Sequence, residues 1–241
     1  MQLFEDYPFA QSELSSFHSM KKDGNMSTRY GDISSVFERR SRFFHQNISD
    51  NSRIIHIRAN HKAVIRAIPN DIAEEIIECD GVISRNPQMY FSIAFGDCLP
   101  LVLHDPNKHI LAYAHCSYKS INQWLHSLIA ESLIQEYWSH PSDLQILLGP
   151  CIKAYSLELD DISTLDNKDW KDHIMVHEDG IYSVDLISRV VMDLSKLSIK
   201  YHNIYRSIRD TGNDDELFSH YRSTHLWEEE WRFLFCVGLK S

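Results

Sequence analysis

The chain has 241 residues, enough for one large domain or two small ones; a single α/β domain is the simpler arrangement, with a full core and no covalent staples. Its net charge of −10 argues against non-specific binding of nucleic acid, while leaving scope for a local basic pocket around a small phosphate. The five cysteines are irregularly spaced without a CxxC pair, no apolar run approaches the ~20 residues that span a bilayer, and the acidic opening MQLFEDYPFA lacks a signal-peptide pattern, so the expectation is a reduced, soluble, cytoplasmic protein.

In chain order, residues 1–26 predict an edge strand or a loosely held arm, with a turn at Gly24-Asn25. A polar loop, Ser27 to Ser34, carries Arg29. Ser34 or Ser35 is expected to cap a helix whose one face bears Phe37, Arg40 and Phe44. Taken alone, the Arg39-Arg40 pair reads as a solvated helix face. Residues 53–67 alternate and are β-branched, predicting two strands broken near Asn60-His61. A lone strand histidine such as His56 or His61 is ordinarily structural. Residues 69–78 read as a loop or short helix, Cys79-Asp80-Gly81 as a turn and Val82-Ile83 as a new strand.

The stretch 92–120 organises the rest. An apolar run ends at Asp97, Cys98 and Pro100; a second covers Leu101 to Leu103. After a polar turn, Asp105 to Lys108, a third run from Ile110 ends at His115. These predict adjacent antiparallel core strands, with Cys98 entering one and His115 leaving the other at the same end of a sheet. A thiol and an imidazole meeting there suit a soft metal or a nucleophile–base pair.

Residues 120–138 predict one amphipathic helix with a stripe of Ile121, Trp124, Leu125, Leu128, Ile129 and Leu133. Its first turn, just after His115, is placed to face an anionic ligand. Residues 144–148 read as a strand, and 152–159 as a strand or short helix carrying Glu158, a candidate general base. Residues 160–180 read as an acidic loop, 184–197 as a helix, 199–205 as a strand, 217–222 as the lead into a loop and 231–239 as a last strand.

Several segments in this order resemble the YfiH-type laccase-domain family, also called the multicopper polyphenol oxidase or purine nucleoside phosphorylase family. Its QVH, ADCLP, AHAGWRG, IGPxI and FSYRR segments are matched by residues 59–61, 96–100, 114–120, 148–152 and 218–222. Its STRxGxxS loop is matched by residues 27–34, its ENR helix by Glu38-Arg39-Arg40 and its GRM segment by Trp231-Arg232-Phe233. The resemblance implies one domain over 1–241, a layered α/β sandwich of mixed sheets flanked by helices, similar to the catalytic domain of cytotoxic necrotizing factor. It implies metal ligands at His61, Cys98 and His115, a donor set suited to zinc, with copper as the alternative.

From the same matches, Cys98, His115 and Asp97 are expected at the reaction centre, Asp97 as an acceptor orienting His61 or His115. Arg29, Arg40 and Lys119 are the expected phosphate-binding cations. The implied activity is phosphorolysis of adenosine, inosine and methylthioadenosine, with adenosine deamination by activated water. The alternatives are a copper phenol oxidase, a Cys98–His115 hydrolase of the peptidoglycan-editing kind, and a divergent ligand-binding member. The implied partners are purine nucleosides and phosphate, with neither nucleic acid nor membrane, for a monomer or weak homo-oligomer. The family's GWRG is here Ser117-Tyr118-Lys119-Ser120, where lysine keeps the charge but loses a two-pronged grip on phosphate.

Overall fold

The computed structural model describes residues 1–4, 7–8, 12–48, 52–165 and 167–240; the rest of the 1–26 arm, residues 5–6 and 9–11, lies outside them. Two mixed sheets dominate. The seven-stranded sheet runs β1 (Gln2–Leu3), β14 (Ile204–Arg206), β10 (Gln145–Leu148), β8 (Leu99–Asp105), β9 (Ile110–Cys116), β6 (Gly81–Ser84), β4 (Ile65–Ala67). The five-stranded sheet runs β2 (Leu14–His18), β15 (Phe233–Leu239), β7 (Met89–Phe95), β3 (Arg53–Arg58), β5 (Ile76–Glu78).

The central strands are continuous apolar runs because both of their faces are buried. Successive side chains of β8 and β9 point to opposite layers. Leu99, Leu101, Leu103, Ala112 and Ala114 pack under the helices α3 (Leu125–Gln135) and α5 (Leu186–Lys196). Val102, Leu111 and Tyr113 face the five-stranded sheet, meeting Phe91, Phe95, Phe233 and Phe235. The outer face of that second sheet, through Leu234 and Cys236, is covered by Phe43 and Phe44 of α1 (Ile33–Asn47). The order is therefore helices, sheet, sheet, helix, the layered mixed α/β architecture expected.

Several local expectations are corrected. The cap of α1 is Asp32, whose carboxylate accepts from Ser35 N, and neither serine takes that role. The helix expected over 120–138 is two: α2 (Tyr118–Asn122) and α3, separated where Trp124 takes φ +63°. That break exposes Trp124 and Leu128, so the apolar stripe reduces to Ile121, Leu125, Ile129 and Leu133. The acidic stretch 160–180 is not only loop. It holds α4 (Asn167–Trp170) and β12 (Ile174–Val176), which joins β11 (Glu158–Leu159) and β13 (Tyr182–Val184) in a three-stranded sheet. Residues 220–225, expected as loop, form α6 (His220–His225), capped by Ser219.

The break at Trp124 serves a buried ion cluster. Arg189 of α5 lies between the Trp124 and Trp170 rings, at 4.7 and 5.2 Å. It donates to Asp193 at 2.5 Å; His126 Nε2 lies 2.9 Å and Lys196 Nζ 2.8 Å from the same carboxylate. Burial would raise the Asp193 carboxyl, but the bonds from His126, Lys196 and Arg189 outweigh it and hold it well below the ordinary range. Asp193→Ala, which leaves a buried guanidinium with only Asp169 at 3.9 Å, is expected to cost about 3–5 kcal/mol, measured by denaturant unfolding.

Candidate functional site

The loops at the ends of β3, β7 and β9 enclose a cleft of about 660 Å³. His61, Cys98 and His115 all line it, as do Arg29, Arg40, Lys119 and Asp97. The β8–β9 register explains part of this. Leu99 pairs with Cys116 and Pro100 with His115, so Cys98 and His115 come to the same end of the sheet, as the hairpin requires. His115 lies 5.0 Å from the Phe95 ring and 5.1 Å from the His61 ring, centroid to centroid.

His61 arrives from the loop after β3, where it and Ala63 adopt φ of +61° and +55°. Asp80 holds this loop. Its carboxylate accepts from the backbone N–H of Asn60 (3.0 Å), His61 (2.7 Å), Lys62 (2.8 Å) and Val64 (3.3 Å). The carbonyl of Asp80 accepts the N–H of His115 at 2.8 Å. One buried residue thus fixes both imidazole-bearing segments. Sequence reasoning took Asp80 for a turn residue and missed it; its only signal is an acid placed before a strand of four buried residues.

Asp97 does not orient either histidine. Its carboxylate accepts from Thr211 Oγ1 (2.6 Å), Ser219 Oγ (2.8 Å) and Tyr221 N (2.6 Å), tying α6 to the end of β7. The second partner of His61 is instead Ser117, whose Oγ lies 3.0 Å from Nδ1. Ser117 and Ser120 also cap each other's backbone N–H at the start of α2. That reciprocal cap occupies the N–H groups of Ser117 and Ser120, and α2 has only five residues. Glu158 is exposed, accepts from Tyr221 OH at 3.3 Å and does not line the cleft.

The cations divide into two kinds. Arg29 and Lys119 are exposed at the cleft and, among the described residues, pair with no carboxylate; Lys119 Nζ lies 5.7 Å from the Tyr118 ring. Arg40 is not on a solvated helix face but buried, donating to Met26 O. Arg232, which the sequence reading left as a weak match, also lines the cleft. It stacks 4.7 Å from the Tyr30 ring and pairs with Glu230.

Burial lowers the His115 pKa to about 3, helped by His61. Burial, then Lys119 and Arg29, lower that of His61 against the pull of Asp80. Cys98 is partly open to the cleft, yet desolvation and the neighbouring Asp97 push its thiol up to about 12. Two neutral imidazoles and a protonated thiol result. Away from the cleft, burial brings His104 down to about 4. The unfolded chain, with histidines near 6.5, therefore binds protons at His104 and His115 that the folded chain refuses. Stability is expected to fall as pH drops from 6.5 toward 4, read as a falling melting temperature.

As metal donors, the residues fit in kind. His61 keeps Nε2 free while Ser117 engages Nδ1, the usual arrangement of a ligand imidazole, and His115 Nδ1 is buried without a partner. Among the described residues, however, no three His, Cys, Asp or Glu side chains form a group that could hold an ion. The structure brings the two imidazoles together but does not close a triad with Cys98.

A family model described as multi-copper polyphenol oxidoreductase laccase matches residues 14–231. The chain belongs to that family. This laccase-like chain superposes on the crystal structure of YlmD from Geobacillus stearothermophilus with a TM-score of 0.85, at 20% identity over 98% of this chain and 94% of the other. It superposes on the hypothetical protein YfiH of Bacillus licheniformis with a TM-score of 0.83, at 20% identity over 97% and 94%. Among curated relatives, the purine nucleoside phosphorylase CA_C1699 of Clostridium acetobutylicum is 21% identical over 69% of this chain and 70% of its own. The purine nucleoside phosphorylase YlmD of Bacillus subtilis is 27% identical over 34% of this chain, and the match spans 30% of that relative. No helix among the described residues is long and apolar enough to cross a membrane.

Proposed function

We propose that residues 1–241 form one functional domain, a zinc-dependent purine nucleoside phosphorylase acting on adenosine, inosine or methylthioadenosine, with adenosine deamination as a side activity. The observation that carries this reading is the pair of unpaired cations, Arg29 and Lys119, beside the neutral His61–His115 pair in the cleft of an acidic protein. The names of the curated relatives support the same substrate class.

In this reading Arg29 and Lys119 hold inorganic phosphate, and His61, Cys98 and His115 would hold zinc. The ion would supply Lewis acidity at the substrate. The imidazoles, neutral at physiological pH, are in the protonation state that a ligand nitrogen needs. Asp97 acts by fastening α6 over the cleft wall and touches no reacting atom.

A hydrolase with Cys98 as nucleophile and His115 as base needs a thiolate near neutrality, and burial opposes that ionisation. A copper phenol oxidase ordinarily needs several metal centres, whereas the described residues bring together one imidazole pair. Metal analysis of the purified protein, alongside adenosine and inosine assays with and without phosphate, tests the reading. Base release that requires phosphate is expected. Arg29→Ala and Lys119→Ala should each raise KM for phosphate by roughly tenfold or more, the loss of one hydrogen bond to a charged group. Equal base release without phosphate would overturn it.

A further inference from the structure

Two hydroxyls join the ring of His61 to the backbone of His115. Nδ1 of His61 lies 3.0 Å from Ser117 Oγ, Ser117 Oγ lies 3.0 Å from Ser120 Oγ, and Ser120 Oγ lies 3.0 Å from the carbonyl oxygen of His115. Both serines are buried. The matched GWRG segment has glycine at both positions, so this run of hydroxyls belongs to the present sequence.

The direction of each bond follows from the count of protons. Asp80 stands opposite His115 and accepts its N–H, but gives its own N–H to Val64 O, 2.8 Å away. On the other side Pro100 pairs with His115 and has no N–H to give. Among the described residues, the donor that serves this buried carbonyl is Ser120 Oγ. The other carbonyl in its reach, Ser117 O at 3.1 Å, already accepts from Ile121 N. A hydroxyl has one proton to donate. With that of Ser120 directed at a carbonyl, the proton between the two hydroxyls is that of Ser117. Ser117 Oγ then offers only lone pairs: one accepts Ser120 N–H at 3.1 Å, the other faces His61. Nδ1 of His61 therefore carries the imidazole proton. Ser120 Oγ is filled in the same way, accepting Ser117 N–H at 2.8 Å and the Ser117 hydroxyl. Reversing the run would strip His115 O of its donor and move the His61 proton to Nε2.

We propose that Ser117 and Ser120 are positioning residues that lock His61 in its Nδ1–H tautomer, so that Nε2 keeps its lone pair free. Ser120 acts at second hand. It touches neither imidazole ring and does not line the cleft, yet it decides which way the Ser117 hydroxyl points. His115 has no such guide, since its Nδ1 is buried without a partner. The two imidazoles are thus unequal: His61 is set in advance as an acceptor or ligand, and His115 is set by what binds. The tautomer rests on the hydrogen bonds alone; its use in holding zinc rests on the proposed function above.

Nitrogen-15 NMR of the histidine rings in the metal-free whole chain, above the pH range in which imidazoles titrate, reads the tautomer directly; His61→Gln identifies the signals. Wild-type His61 is expected to carry its proton on Nδ1. Ser120→Ala frees the Ser117 hydroxyl to turn toward the ring. It should shift the His61 proton toward Nε2 and weaken zinc binding, read by competition with a chelator, by about tenfold. Ser120→Thr, which returns the hydroxyl, should restore both. Ser117→Ala, which leaves Nδ1 without its acceptor, should show the same loss of preference and decides the matter if Ser120→Ala does not fold. A wild-type proton on Nε2 would overturn the lock, as would the wild-type tautomer persisting in Ser120→Ala. An Nδ1–H tautomer that depends on Ser120, in a protein that binds no zinc, would support the lock and overturn the zinc site instead.

Discussion

Cys98→Ala is expected to lose both metal and turnover. Among the cleft residues only Cys98 offers sulfur, and it follows directly from the loop that ends β7, at the end of the sheet that carries His115. Removing one donor of three costs more than the 10–100-fold in metal affinity that loss of a mere supporting hydrogen bond costs. The resting thiol is protonated, so binding must release its proton, and metal uptake by the wild type should strengthen as pH rises. Metal content at one equivalent with full nucleoside turnover in Cys98→Ala would refute the ligand set. Because the resting structure does not close the triad, wild-type uptake should also change the environment of Cys98, observable as slower alkylation of its thiol once metal is added.

Asp80→Asn is the second substitution of large effect. Both carboxylate oxygens accept backbone N–H groups from residues 60–64, two on each oxygen. An asparagine keeps one accepting oxygen and turns an NH₂ toward the other pair of donors. Two part-buried N–H groups then lose their acceptor and meet a donor instead, at about 1–3 kcal/mol each. A total of about 3–5 kcal/mol follows, lowering the melting temperature of a chain this size by roughly 10 °C. The loop residues at positive φ, His61 and Ala63, are those whose backbone shape most depends on these bonds. Turnover in the surviving folded protein should therefore fall further than stability alone explains. Unchanged kcat and KM in folded Asp80→Asn would show that the loop holds its shape without the carboxylate.

The contrast between Asp80 and Asp97 shows how far the sequence could be read. Both acids stand just before strands, and Asp97 adjoins Cys98, so proximity in the chain favoured it as the partner of the imidazoles. The carboxylate that organises His61 lies nineteen residues further along, and the pairing of β4 with β6, Ile65 opposite Gly81, brings it to the loop. The antiparallel pairing of β8 with β9, by contrast, was readable from two continuous apolar runs joined by a polar turn. Runs over 89–95, 99–105 and 110–116 become the buried centre of two sheets because each has a layer to pack on both sides. Periodicity failed where a residue breaks its own element: Trp124 belongs to the apolar stripe by spacing, yet its left-handed backbone ends α2 and turns the ring onto Arg189. It failed again at 160–180, where polar composition hides Trp170, a fully buried side chain in a short helix. The burial of Arg40 at the cleft was not legible from spacing, since a charge pair on a helix is by itself a surface feature.

The place of β15 bears on how the molecule comes into being. This strand, near the end of the sequence, is inserted between β2, near its beginning, and β7. During synthesis β2 has no neighbour to join until residues 233–239 leave the ribosome, and the aromatic lining between the two sheets stays open until then. The hairpin of β8 and β9 can assemble early, but the cleft wall built on the five-stranded sheet cannot. Nascent chains should thus acquire ligand-binding competence in one step, once residues 233–239 are free to pair.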